Sequence, residues 1–104
     1  MTFRKFRLLP EIVNVLENKM QVNTPSPIQQ MVIPHMLQGK SCIMAAQTGT
    51  GKTLAYSIPI IHQLKQQEVK AETRLTLPNK PRSLILVPNR ELAMQVHQDA
   101  LKPF

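Results

Sequence analysis

The sequence predicts an α/β domain in which parallel strands are flanked by helices, and two features of its 104 residues predict it. An apolar run, Ser41-Cys-Ile-Met-Ala-Ala46, is followed by a glycine-bearing turn and then by a helix-like segment from Leu54. A second apolar run, Ser83-Leu-Ile-Leu-Val87, is again followed by a turn and a helical pattern. Two strand–helix units of this kind pair through a right-handed crossover, because a right-twisted strand feeding a helix packs back onto its sheet that way. Both loops then leave the carboxyl ends of strands, the edge along which open α/β sheets hold their ligands.

The elements follow in order. After Pro10, residues 11–20 place Ile12, Leu16 and Met20 at helical spacing with Val13 beside them, and Glu11 suits the positive first turn. Asn23-Thr-Pro-Ser-Pro27 breaks the chain, and Ser26 is placed to cap a second helix that Pro27 opens. In that helix Ile28, Val32 and Met36 share a face with Met31 alongside; Pro34 predicts a kink and Gly39 a stop. Past the glycine-bearing turn, Leu54, Ile58 and Ile61 form a third helical stripe, kinked at Pro59. Residues 65–82 are polar and charged, which reads as a solvated helix end and a surface loop, with a nucleic-acid contact as the alternative. The second apolar run reads as a buried strand, and Pro88-Asn89 turns the chain into a last helix carrying Leu92, Val96 and Ala100.

Size allows one small domain with a core but not two. Thirteen Lys and Arg against six Asp and Glu give a net charge of +7, which favours a polyanionic partner, nucleic acid or an anionic membrane surface. The single cysteine, Cys42, excludes an intramolecular disulfide and a cysteine-based zinc cluster, and is expected to pack in the core of a protein from a reducing compartment. No apolar run approaches the ~20 residues that cross a bilayer. The basic start, Met1 to Arg7, resembles a transit peptide faintly, but the regular helix after Pro10 favours a folded N-terminus. His35, His62 and His97 match no metal-ligand spacing, and the six methionines read as packing residues.

The chemistry concentrates in Ala46-Gln47-Thr48-Gly49-Thr50-Gly51-Lys52-Thr53. Glycines let successive backbone N–H groups turn inward as an anion nest, and the helix that follows aims its positive end at the same point. Lys52 adds a charge for the outer phosphates, and the Thr53 hydroxyl is placed to ligate magnesium. This pattern points to a nucleoside triphosphate site, although Ala46 stands where the general pattern has glycine. The plainer reading is a flexible loop capping a helix, with Lys52 solvated.

Three blocks in this order resemble the N-terminal core of the DEAD-box RNA helicases. Pro25-Ser26-Pro27-Ile28-Gln29 is similar to that family's Q motif, which would occupy about 1–29. Residues 46–53 are similar to its motif I, whose own form begins with alanine, and Pro88-Asn89-Arg90-Glu91-Leu92 to motif Ia, where threonine is usual at the place of Asn89. The resemblance implies a partial RecA-like domain that binds ATP with magnesium and contacts RNA through its backbone. It implies that Lys52 and Thr53 serve catalysis and that Ser26, Gln29 and residues 46–53 hold ATP. Gln29 would grip adenine, because a carboxamide can donate to N7 and accept from the exocyclic amine, which guanine's edge does not match; a solvated Gln29 is the alternative. An upstream aromatic, Phe3 or Phe6, would stack on the base; the alternative is that either ring is simply core. The usual aromatic within the block and its preceding glycine are replaced by Val22 and Gln21. Pro88, Asn89 and Arg90 would meet RNA phosphates, with Arg90 paired to a nearby carboxylate as the other reading.

Hydrolysis in that family draws on an Asp-Glu-Ala-Asp block, and this chain holds one aspartate, Asp99, on its last helix. The sequence therefore reads as the start of a first helicase domain, cut before the acidic motif and without the second RecA-like domain: a fragment, a truncated gene product or a degenerate copy. The rival functions are a non-catalytic RNA-binding module and a different P-loop enzyme such as a small kinase, for which no acceptor-pocket residues stand out. An intracellular location is implied, cytoplasm or nucleus, with the mitochondrion left open.

Overall fold

Capping residues, prolines and one left-handed glycine decide where the helices begin. The structure is a computed structural model that describes residues 2–45, 51–73 and 77–104. Thr2 caps a 3₁₀ turn at Phe3–Phe6, its hydroxyl accepting the Arg4 N–H at 3.3 Å. Pro10 opens α1 (Pro10–Asn14), where its fixed φ suits the first turn and its missing N–H goes unused. The helix runs on as a π-helical turn, Val15–Lys19, closed by the Met20 N–H on the Val15 carbonyl at 2.9 Å.

Gln21 then reverses the chain at φ 57°, with the Val22 N–H on the Leu16 carbonyl at 2.7 Å. This is the left-handed helix stop that glycine adopts without a Cβ penalty, which explains the glycine usual there in the DEAD-box pattern. Gln21→Gly is expected to stabilise the chain by about 0.5–1 kcal/mol, the relieved strain less the added freedom of the unfolded state. A higher urea midpoint at unchanged slope would show it.

Ser26 caps α2 (Pro27–Leu37) as foreseen, and does so within a reciprocal box: its hydroxyl accepts the Gln29 N–H while Gln29 Oε1 accepts the Ser26 N–H at 2.9 Å. Gly39, at φ 79°, ends the helix where expected, with the Lys40 N–H returning to the His35 carbonyl at 3.4 Å. The third helix, α3 (Lys52–Ala71), starts directly at Gly51 and runs 20 residues. Helical hydrogen bonding continues past Pro34 in α2 and Pro59 in α3. Asn89 caps α4 (Arg90–Val96), which runs on as a second π-helical turn, His97–Leu101.

The core joins the N-terminal segment to α2 and α3. Phe3, Ile12, Leu16, Ile33 and Ile58 are fully buried, with Phe6, Leu8 and Val13 nearly so, and Phe104 packs against them. Each such aliphatic side chain contributes about 1.5–3 kcal/mol on burial. Polar ties fix the layers: Arg4 grips the Glu17 carboxylate through two nitrogens at 3.1 and 3.2 Å. The Gln63 amide donates to the Met36 carbonyl at 3.1 Å. Arg82 bonds the Leu64 carbonyl at 3.2 Å and the Glu68 carboxylate at 3.3 Å, holding the polar loop on α3. Arg82 is thus a structural tie, in keeping with the surface-loop reading of 65–82.

Two expectations are corrected, and a third is not met among the described residues. The runs 41–45 and 83–87 are non-helical as foreseen, but among the described residues no strand ladder forms, and the β-bridge found joins Leu77 to Lys80. Their apolar side chains are not buried: Ile43 is wholly exposed, and Leu84 and Leu86 stand 77% and 84% exposed. Cys42 is exposed rather than packed in the core. The physical reason is common to all three. A strand's side chains are covered by neighbouring strands and helices on its faces, and the described residues place none over these runs. Met31 and Met94 are exposed too, so the packing role foreseen for the methionines fails at those two positions.

Candidate functional site at the start of α3

The site is built by one glycine. Gly51 takes φ 90° at the N-cap of α3, and among the described residues no side chain caps that helix. The first-turn N–H groups of α3 thus meet no side-chain acceptor among the described residues, at the positive end of the helix, where an anion is favoured. Lys52 and Thr53, the first two residues of α3, are half-buried. With Gly51 they line a cavity of about 680 Å³, whose wall also includes Met44, Val87 and Asp99. The ends of both apolar runs thus meet the start of α3 around one space. Ala46, Gln47, Thr48, Gly49 and Thr50, the rest of the expected nucleotide loop, lie outside the described residues.

Gln29 is joined to this point from α2. It is 3% exposed, and its Nε2 donates to the Gly51 carbonyl at 3.2 Å, while Oε1 is held by the Ser26 N–H. The same Gly51 carbonyl accepts the Ala55 N–H at 3.1 Å. A Cβ on residue 51 would stand 2.4 Å from Gln29 Nε2 and 3.1 Å from Ser26 Oγ. Ser26, Gln29 and Gly51 therefore interlock, and the solvated reading of Gln29 does not hold in this structure. The Ser-x-x-Gln capping spacing was the signal in the sequence that Gln29 faces inward.

Phe3 does not join the site. It is fully buried, edge-on to Phe6 with ring centroids 6.2 Å apart, and both rings belong to the core. The stacking role foreseen for Phe3 is corrected accordingly, since a base needs an accessible ring face. Pro88, Asn89 and Arg90 are exposed just beyond the cavity wall. The Asn89 side chain is engaged in the cap, accepting the Leu92 N–H at 2.8 Å. Arg90 has no ion-pair partner among the described residues, so the carboxylate pairing considered for it is not found. Asp99, which looked isolated in the sequence, shares the cavity with Lys52 and Thr53; nothing in the spacing signalled that.

The profile of the DEAD/DEAH box helicase family matches residues 26–104, three-quarters of the chain. The chain belongs to the DEAD/DEAH box helicase family. Among relatives in this family, the ATP-dependent RNA helicase RhlB of Sodalis glossinidius is 48% identical over 98 residues, covering 94% of this chain and 23% of the relative. The ATP-dependent RNA helicase MAK5 of Lodderomyces elongisporus is 48% identical over 91 residues, 86% of this chain and 10% of the relative. A crystal structure of a DEAD box protein from the hyperthermophile Methanococcus jannaschii superposes with a TM-score of 0.70 at 35% identity, over 95% of this chain and 24% of that one. The chain thus spans a quarter or less of the length of these DEAD-box relatives, and its fold resembles that of the Methanococcus jannaschii protein over the part they share. Among the described residues no helix is long and apolar enough to cross a membrane, and no group of three or more metal-ligating side chains forms.

Proposed function

We propose that this chain is the nucleotide-binding start of an ATP-dependent RNA helicase. The observation that carries the reading is the uncapped start of α3: a left-handed Gly51 followed by Lys52 and Thr53 on a cavity wall. Backbone donors, helix dipole and an ammonium converge there on one anion. Residues 46–50 complete the phosphate loop in this proposal. Magnesium fits as a companion of the phosphates, with the Thr53 hydroxyl as its ligand from the described residues and the remaining ligands from phosphate and water; it would neutralise charge on the outer phosphates.

Gln29 supports adenine as the base. Its internal bonds use one amide hydrogen and one oxygen lone pair, which leaves one of each for the base edge. RNA is the proposed polyanion, met by Arg90 and the backbone of Pro88 and Asn89 rather than by the Asn89 side chain. Such contacts hold a phosphate chain without reading its sequence. We further propose that 41–45 and 83–87 are strands of a parallel, RecA-like sheet: their apolar exposure and their shared cavity fit runs awaiting sheet neighbours. Hydrolysis and unwinding are assigned to a chain of the relatives' length, inside the cell, with a second RecA-like domain, because the 104 residues hold one aspartate.

Titration with ATP and GTP tests the proposal. The wild type is expected to bind ATP in preference to GTP, and Lys52→Ala to lower ATP affinity at least tenfold, the loss of about 1.4 kcal/mol or more. Equal affinity for the two nucleotides would overturn the role of Gln29. RNA binding that falls with salt yet ignores both ATP and Lys52→Ala would favour a non-catalytic RNA-binding module instead.

A further inference from the structure

His62 lies well along α3 from Lys52 and takes no part in the nucleotide site, yet it is one of the few polar side chains in the interior, 7% exposed. Its Nδ1 accepts the Leu9 N–H at 3.2 Å. Leu9 is the residue on which α1 is founded: its carbonyl accepts the Ile12 and Val13 N–H groups at 3.0 and 3.3 Å, and no side chain caps that helix. His62 thus supplies the acceptor that anchors the first backbone unit of α1 to α3. The Leu9 N–H is half-buried, and without this partner it would be an orphan donor.

An imidazole accepts at Nδ1 only while neutral; in the imidazolium both ring nitrogens donate. Protonation would set two donors against each other across the Leu9–His62 contact. Burial alone holds the His62 proton affinity below the ordinary imidazole range. The charged groups of the surrounding elements are engaged elsewhere or face solvent. Glu11 of α1 and Lys65 of α3 pair with each other at 3.8 Å across the same junction. Arg4 holds Glu17, Lys5 lies over the Phe6 ring, and Arg7 is exposed. In α2 the titratable group is His35, exposed beside the Ser41 carbonyl, and in the closing helix His97 and Asp99 are exposed.

We infer that His62 is a proton-sensitive latch: neutral, it fastens the N-terminal segment to the helix that carries Lys52, and protonated, it lets that segment go. The segment brings Phe3, Leu8, Ile12 and Leu16 to the core, so release exposes a large part of it. The sign follows from the lowered affinity. The unfolded chain takes the proton more readily, so the latch's contribution is complete above the unfolded value, about 6.5, and is lost as pH falls through the lower folded value. The inference needs no nucleotide and stands apart from the ATP reading.

Amide hydrogen exchange on the full chain between pH 7.5 and 5 tests it, after correction for intrinsic exchange. Protection of the Leu9, Ile12 and Val13 amides is expected to fall by up to about tenfold per pH unit once His62 titrates, while α4 amides keep theirs. His62→Asn retains an acceptor without a titrating group and is expected to show a flat profile. Wild-type protection that persists to pH 5, or an Asn variant that follows the wild-type profile, would overturn the latch. Should His62→Asn not fold, the ring's own NMR titration in the wild type decides. A midpoint below 6.5 that coincides with the loss of Leu9 protection supports the latch, and an unshifted midpoint with protection unchanged refutes it.

Discussion

Replacing Gly51 with alanine is expected to abolish ATP binding and to lower the unfolding free energy by about 1–3 kcal/mol from backbone strain alone. The backbone sits at φ 90°, where a Cβ meets the carbonyl oxygen that follows it. The second cost is steric: that Cβ would lie 2.4 Å from Gln29 Nε2, inside any real contact distance. Gln29 cannot swing aside cheaply, because it is 3% exposed and tied at both ends of its carboxamide. Either the α2 cap or the start of α3 has to move, and Lys52 moves with it. Gly39→Ala is the control, since Gly39 has φ 79° but nothing within 4 Å of its would-be Cβ. It is expected to cost only the left-handed strain, about 1–2 kcal/mol, and to leave nucleotide affinity intact. Urea unfolding and an ATP titration on both variants check the contrast. Equal losses of stability with ATP binding preserved in both would show that the Ser26–Gln29–Gly51 interlock does not shape the site.

The helices were legible from the chain and the covering of the apolar runs was not, for a definite reason. Ile12, Leu16, Val32, Ile58, Val96 and Ala100 announce themselves because a helix satisfies its own backbone, so one apolar stripe suffices to place it. Ser26 and Gly39 were equally legible, since caps and stops act within a few residues of themselves. An apolar run such as Ser83–Val87 carries no such guarantee. Its burial depends on neighbours elsewhere in the fold, and Leu84 and Leu86 remain exposed. Cys42 misled in the same way, by membership of a run whose covering was assumed. Contacts across the fold were silent in the sequence: nothing in the spacing of His62 names Leu9 as its partner, and nothing in Asp99 names the cavity it shares with Lys52. Gln29 falls between, its inward turn readable from the capping spacing but its bond to Gly51 visible only in three dimensions.

Phe3→Ala separates two roles that the sequence left open for this ring. As a core residue, Phe3 is fully buried and packs edge-on to Phe6 within the cluster that includes Ile12, Leu16 and Ile33. Truncation to alanine leaves a cavity in a small, tightly packed interior, and the expected cost is about 3–5 kcal/mol. Against a total stability of roughly 5–15 kcal/mol, that is enough to leave a marginal domain largely unfolded near body temperature. A ring that served chiefly as a stacking surface for adenine would behave otherwise: its loss would weaken ATP binding while the unfolding midpoint barely moved. Phe3→Leu sharpens the distinction. Leucine refills most of the volume, so a core role predicts that much of the stability and all of the nucleotide affinity return, whereas a stacking role predicts that affinity stays low because the aromatic face is gone. Thermal unfolding and ATP titration on the pair measure both quantities. Buried edge-on against Phe6, Phe3 is expected to register in the first and not in the second.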